Sequence, residues 1–262
     1  MSNADTVIAA LRSGYDSLAS LVSRLSDDDL AGPSGASEWD ISQVLSHLGS
    51  GAEINQATLQ AAIGGKPYPG LEFARSVWGR WDALGRRQRA DGFLRVNPAL
   101  LDLYDSLAAR DDLRIDMGFS PAPVDLATAG QFRLSEFTLH SWDVRAGFDP
   151  GATLAPEATA LIAPAIGGMV GFLAKPEPLG GRQAVIQVTT SAPDLVFALR
   201  LGDQISIGDV GHPGQADGTL ALPAEAWVRL VTGRLGPQYT PAGISAAGTA
   251  DLDLLRQVFP GF

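Results

Sequence analysis

The sequence predicts an α+β protein in which a four-helix bundle precedes a smaller module of helices and strands. In the first part of the chain, apolar residues recur at three- and four-residue steps, which is the spacing of amphipathic helices. After about residue 150, short runs of β-branched residues alternate with Gly, Pro and Asp, as in strands joined by turns. We therefore expect two domains, residues 1–150 and residues 151–262.

An apolar stripe and a capping motif define the first two predicted helices. Apolar side chains follow a helical period from Val7 to Leu25. Asp40 is a suitable N-cap for the segment "ISQVLSHLGSGAEINQATLQAAI", and Gln43 occupies the capping-box position three residues later. Gly64 and Gly65 then end this second helix.

Two further helical regions complete the predicted bundle. The third covers about residues 72–110, with an interruption expected near Gly92 and a cap plus first-turn proline expected at Asn97-Pro98. The fourth begins near Asp125 and ends at Gly147. Four such helices joined by short loops are typical of a bundle.

The second module combines helices with short strands. We expect a helix from Ala158 to Leu173 that bends at Pro164, and a later helix from Pro223 to Gly233. The strand candidates are "QAVIQVTT", "DLVFALRLG", "QISIGD", "DGTLALP" and "GISAAGT", and "DLDLLRQVF" is a last helix.

The overall charge and the absence of cysteine restrict the function. The net charge is −10, which argues against binding to nucleic acid or to an anionic membrane. Without cysteine the chain forms no disulfide and no thiolate metal site, so any thiol chemistry requires an external thiol. We see no signal peptide and no apolar stretch close to the roughly 20 residues of a membrane span, and we expect a cytoplasmic monomer.

Three polar residues share one stripe of the fourth predicted helix: Glu136, His140 and Asp143. Burying an unpaired carboxylate there costs several kcal/mol, so the stripe either forms a structural polar network or holds a ligand. His47 lies among apolar residues of the second helix, which directs it toward the bundle core. Two histidines and one glutamate would leave coordination positions open, as in catalytic metal sites.

The same residues also have structural interpretations. Each histidine could be a hydrogen-bonded core residue, and Arg133 could form a helical salt bridge with Glu136. The donor set itself suits zinc, nickel, iron or cobalt. Asp143 could orient a ligand imidazole.

Three segments resemble those of a known family. "SEWDISQVLSHLGSGAEI" and "RLSEFTLHSWDVRAG" resemble the second-helix and fourth-helix motifs of the mycothiol-dependent maleylpyruvate isomerase family. "WVRLVTGRL" is similar to the helix and Gly-Arg turn of the domain fused to those bundles. The resemblance implies an N-terminal DinB-like metal-binding four-helix bundle and a C-terminal α+β sterol-carrier-like domain.

The resemblance also implies roles for individual residues. His47, Glu136 and His140 correspond to the metal ligands, usually of zinc, and the sulfur of mycothiol would approach the open metal position in a cleft facing the second domain. Arg234 is similar to an arginine directed toward that cleft, where it could hold a substrate carboxylate. A helix-end role is the alternative for Arg234, and Arg229 is the other candidate.

Two more residues complete the candidate site. Trp39 is expected to line the cofactor pocket or to pack, and Asp143 to support His140. His212 lies in a Gly/Pro turn and receives no role, whereas Trp78 and Trp81 are expected to pack.

We therefore predict a metal-dependent, mycothiol-using isomerase or thiol S-transferase that acts on an electrophilic small molecule, with a thiolate as nucleophile. Two alternatives remain: a non-catalytic module that binds an apolar small molecule, and a structural or regulatory metal-binding protein.

Overall fold

The chain forms two compact units, Met1–Phe148 and Asp149–Phe262, in a computed structural model that describes residues 3–210 and 216–261. The first unit is helical, and the second contains a mixed sheet of five strands together with helices. The predicted α+β class is confirmed.

A bundle of four long helices forms the first unit. Its helices, in chain order, are α1 (Asn3–Val22), α2 (Asp27–Leu30), α3 (Ile41–Ile63), α4 (Leu71–Asp82), α5 (Arg86–Leu107) and α6 (Leu126–Ala146). Helices α1 and α3 each pack on both α5 and α6. Helix α4 is an addition that packs on α3.

The start of α3 is fixed by the predicted capping box. The backbone N–H of Gln43 donates to the Asp40 carboxylate at 2.9 Å, and the backbone N–H of Asp40 donates to the Gln43 side-chain oxygen at 2.9 Å. Both bonds satisfy N–H groups that a helix start leaves without intrahelical partners. The prediction of this helix is confirmed, and it places His47 two turns inside α3.

The third predicted helix is in fact two helices, so the expected interruption near Gly92 is wrong. The break lies at residues 83–85, between α4 and α5, and Gly92 is buried within α5. A Cβ at Gly92 would lie 2.8 Å from the Trp81 ring, and one at Gly49 would lie 2.1 Å from it. Glycine at these positions therefore admits the indole of α4 between α3 and α5. Trp81 packs as expected, but Trp78 is 41% exposed.

Pro98 lies inside α5, so the expected cap at Asn97-Pro98 is also wrong. A proline has no N–H for the carbonyl four residues earlier, which is that of Leu94. The Tyr15 hydroxyl of α1 donates to this carbonyl at 2.9 Å. A side chain from another helix thus replaces the missing helical hydrogen bond, a contact that local sequence does not reveal.

The second unit is built around its sheet. The elements are α7 (Pro156–Ala165), α8 (Val170–Leu173), β1 (Ala184–Ser191), β2 (Leu195–Leu201), β3 (Ser206–Gly208), β4 (Gly218–Pro223), α9 (Ala224–Val231), β5 (Ser245–Gly248) and α10 (Leu252–Val258). The strand order is β3-β2-β1-β4-β5, and β1 and β4 are parallel while the other neighbours are antiparallel. Burial alternates along β1 and β4, so one face of the sheet packs on the core.

The helical run from α7 to α8 meets one expectation and differs from another. It is interrupted just after Pro164, as predicted, because a 3₁₀ turn at Ile166–Met169 separates α7 from α8. By length and composition alone, Pro156–Leu173 is apolar enough to span a membrane, in contrast to the expectation that no stretch comes close to this length. Core helices of soluble proteins can have the same length and composition, and 39% of this segment is buried.

We expect Tyr15→Phe to lower the free energy of unfolding by about 1–3 kcal/mol, because it leaves the partly buried Leu94 carbonyl without a donor. Pro98→Ala supplies a backbone N–H to the same carbonyl. Urea unfolding of the two single variants and the double variant measures the coupling. If Tyr15→Phe lowers the free energy of unfolding as much in the Pro98→Ala background as in the wild type, the Tyr15 hydroxyl does not replace the missing helical hydrogen bond.

Candidate metal centre

Side chains from α3 and α6 converge on one point of the bundle. His47 Nε2 lies 3.2 Å from Glu136 Oε2, and His140 Nε2 lies 3.7 Å from the same oxygen. One potential ligand atom from each of the three residues lies within 4.8 Å of the other two. The i,i+4 spacing within α6 and the depth of His47 in α3 produce this arrangement. The structure therefore brings together the three predicted ligands.

The cluster combines a buried side with an accessible side. The His140 side chain is 12% exposed, that of His47 is 34% exposed and that of Glu136 is 56% exposed. Burial raises the pKa of the Glu136 carboxyl, but the hydrogen bond with His47 and the neighbouring positive charges outweigh it and lower the pKa to about 2. Glu136 is therefore an ionised oxygen donor at neutral pH.

Asp143 supports His140 from the protein interior. Its side chain is fully buried, and its Oδ2 lies 2.8 Å from His140 Nδ1. With the proton on Nδ1, the imidazole donates to the carboxylate and leaves the Nε2 lone pair facing Glu136. A carboxylate that binds the second nitrogen of a histidine is the common support of a metal-ligating imidazole. The structure places Asp143 where the sequence predicts it.

Trp39 lies against both histidines of the cluster. Its ring centroid is 5.1 Å from that of His47 and 5.8 Å from that of His140. The loop before α3 is anchored to α6, because the backbone N–H of Gly35 donates to the Asp143 carbonyl at 2.7 Å. Ser34 Oγ donates to the Trp39 carbonyl at 2.8 Å. These bonds hold the half-buried indole beside the imidazoles.

Arg133 does not form the salt bridge that the sequence offers as an alternative. Its Nη2 donates to the Leu48 carbonyl at 2.8 Å and to Asn97 Oδ1 at 3.0 Å. Local sequence does not predict this network, because its acceptors lie on two other helices. Glu136 therefore directs its carboxylate toward the histidines.

The two candidate arginines lie in the second unit and differ in their surroundings. Arg229 is 1% exposed and forms two hydrogen bonds with the Glu225 carboxylate, at 2.7 and 2.8 Å, which gives it a structural role. Arg234 follows Gly233, which ends α9 with φ +73°. The Arg234 backbone N–H donates to the Arg229 carbonyl at 2.7 Å, and its half-buried guanidinium donates to the Thr232 carbonyl at 3.1 Å. The predicted relation of Arg234 to the cluster stays a prediction. His212, which was given no role, lies outside the described residues.

The cluster fits a divalent cation by both chemistry and spacing. Zinc–nitrogen and zinc–oxygen bonds of about 2.0–2.2 Å place tetrahedral ligand atoms roughly 3.3 Å apart. The distances of 3.2 and 3.7 Å around Glu136 Oε2 are close to this value. Three protein ligands would leave one position of a tetrahedral ion open, and nickel, iron or cobalt suits the same donors.

We expect Asp143→Asn to weaken zinc binding by about 10- to 100-fold, because an amide is a poorer acceptor for the His140 Nδ1 proton. Competition with a chromophoric chelator measures the affinity. Asp91→Asn, at an exposed position of α5, serves as the control. An affinity equal to that of the control would show that Asp143 does not support a ligand.

The chain is similar to proteins of one family in both sequence and fold. The family described as "Mycothiol maleylpyruvate isomerase N-terminal domain" matches residues 11–145, which is just over half of the chain. No curated protein matches the chain.

Two solved structures share its fold. The crystal structure of the mycothiol-dependent maleylpyruvate isomerase and that of a histidine-to-alanine mutant of the same enzyme are each similar with a TM-score of 0.63 and 14% identity. The match covers 95% of this chain and 95% of each of those chains. The resemblance stated from the motifs is thereby confirmed, and the chain belongs to the mycothiol maleylpyruvate isomerase family.

Proposed function

We propose that this protein is a metal-dependent enzyme that uses mycothiol, or a related small thiol, to modify an electrophilic small molecule. One observation carries the proposal: in a member of this family, His47, Glu136 and His140 converge at ligand distance, and the buried Asp143 orients one of them. A purely structural polar network has no need for an accessible side. Here the shared carboxylate is 56% exposed.

The protein residues would bind and orient the reactants. His47, Glu136 and His140 would hold the ion, zinc being the expected one, and when bound it would lower the pKa of a coordinating thiol so that a thiolate is present at neutral pH. Asp143 would keep the proton on His140 Nδ1. Trp39 would cover the imidazole rings and contact the thiol cofactor.

The chemistry of a thiolate allows two outcomes. Addition of its sulfur to one carbon of an alkene activated by a carbonyl would form a C–S bond, move the alkene electron pair onto the carbonyl as an enolate, and leave a single bond about which the substrate could rotate. Loss of the same thiolate restores the alkene with changed geometry, which is isomerisation. Retention of the C–S bond, with a proton added at the neighbouring carbon, is S-transfer. We propose this pair of reactions, with Arg234 as the binding residue for a substrate carboxylate.

The expected setting is part of the same proposal. The protein would act as a cytoplasmic monomer on a small substrate, without nucleic acid or a membrane as partner. We likewise propose that the second unit is a sterol-carrier-like domain.

Metal content tests the proposal first. Protein purified without chelators and without a nickel column should contain about one equivalent of a divalent metal, because three converging donors bind it tightly. His140→Ala should lose it, and Asp91→Asn should keep it. A wild type that neither contains metal nor binds added zinc would favour the apolar-ligand or structural alternative.

Product mass distinguishes the two reactions. The metal-loaded protein is incubated with mycothiol and a maleylpyruvate-type substrate, and the masses of the products are measured by mass spectrometry. An unchanged substrate mass with a changed alkene geometry indicates isomerisation, and a mass increased by that of the thiol indicates transfer. The proposed activity would be contradicted if the wild type forms neither product in a larger amount than His140→Ala does.

We expect Arg234→Ala to raise KM for a carboxylate substrate by about 10- to 100-fold, since it removes a charge-assisted, bidentate contact. An uncharged electrophile should react as with the wild type. Arg182→Ala, at an exposed arginine of the same unit, is the matched control. Unchanged turnover of the carboxylate substrate would show that Arg234 has another role.

A further inference from the structure

A positively charged side chain, that of Arg133, is buried in the bundle. Arg133 is 5% exposed, and among the described residues no carboxylate oxygen lies within 4.0 Å of its guanidinium. Its Nε is buried and has no hydrogen-bond partner in the described part of the chain. A buried charge with incomplete hydrogen bonding is costly, and an apolar side chain of similar volume is often at least as stable. Stability alone therefore does not account for arginine at this position.

The contacts of Arg133 join three helices at the level of the metal centre. Its Nη2 donates to the carbonyl of Leu48, the residue after His47 on α3. The same nitrogen donates to Asn97 Oδ1 on α5, and the Asn97 amide nitrogen donates in turn to the Phe93 carbonyl at 3.0 Å. The amide is thus oriented to accept from the guanidinium.

Helix α3 has a matching space for the guanidinium. A Cβ at Gly51 would lie 2.9 Å from Arg133 Nη1, so this glycine leaves the room that the side chain occupies. On the side of α6, the guanidinium carbon lies 5.7 Å from the centre of the Phe137 ring. Gly51 is one turn after His47, and Arg133 is one turn before Glu136. The contact therefore links the turn of α3 that carries one ligand to the turn of α6 that carries another.

We propose that Arg133 is a positioning residue of the metal centre. Its hydrogen bond to the Leu48 carbonyl fixes the axial position of α3 relative to α6, and this position sets the distance from His47 Nε2 to the donor atoms of α6. The inference rests on the proposed metal site. It assigns to Arg133 a role in metal affinity that is separate from a role in folding.

Zinc affinity and metal-free stability are measured on the same variants. Arg133→Met keeps an apolar side chain of similar length but removes the hydrogen bond to Leu48. We expect the zinc dissociation constant to rise by about tenfold or more, while the urea midpoint of the metal-free protein stays within experimental error of the wild type or rises. Arg133→Lys, which can still donate to Leu48, should recover part of the affinity.

A matched control and a second variant expected to shift α3 relative to α6 extend the test. Arg145→Met changes another α6 arginine, which donates to Ser17 of α1 at 2.9 Å. It should leave zinc affinity unchanged. Gly51→Ala keeps the charge but places a methyl group against Arg133 Nη1. It should weaken zinc binding in the wild type and add little in the Arg133→Met background.

The outcomes separate this inference from the proposed function. If the wild type binds zinc, His140→Ala does not, and Arg133→Met binds within twofold of the wild type, the positioning role is wrong and the metal site stands. If the wild type itself binds no zinc, both fail. A lowered urea midpoint with unchanged zinc affinity would assign Arg133 to folding alone. Should Arg133→Met not fold, the affinities of Gly51→Ala and Arg133→Lys decide by the same criteria.

Discussion

The hydrogen bond between the buried Asp143 carboxylate and His140 is the interaction on which the candidate site depends. A fully buried carboxylate is tolerated only when polar partners satisfy it, and here the imidazole one turn earlier on α6 is such a partner. That bond fixes which nitrogen of His140 faces Glu136. The backbone carbonyl of Asp143 also accepts a hydrogen bond from the Gly35 N–H, so the loop that carries Trp39 is attached to α6 at the same residue. Asp143 therefore holds both the His140 ring and the loop that packs against it.

Helix packing explains why the donors meet. Helix α6 supplies Glu136 and His140 on one face, and α3 supplies His47 at the matching level because both helices pack side by side in the bundle. The capping box at Asp40 sets where α3 begins. The hydrogen bond from Arg133 then joins the two helices within a turn of His47 and of Glu136. Local caps determine the helix ends, and long-range polar contacts determine how the helices align.

Much of this arrangement was predictable from the sequence, because periodicity and caps are local. The capping motif at Asp40 and the stripe on α6 identify two helices and the faces that carry donors. What could not be predicted depends on residues distant in the sequence. Pro98 is tolerated inside α5 because Tyr15 of α1 supplies the missing donor. Gly92 allows a close approach of Trp81 instead of ending a helix, which is a matter of packing.

The central claim is that His47, Glu136 and His140 bind a divalent ion with one position open to a thiol. The visible and near-ultraviolet spectrum of the cobalt(II)-substituted protein tests it most directly, because the d–d bands report coordination geometry and a thiolate-to-cobalt band reports direct sulfur ligation. We expect the d–d bands of a four-coordinate ion, and a charge-transfer band that saturates as mycothiol is added. A six-coordinate spectrum identical to that of free cobalt(II), unchanged by the thiol, would contradict the account.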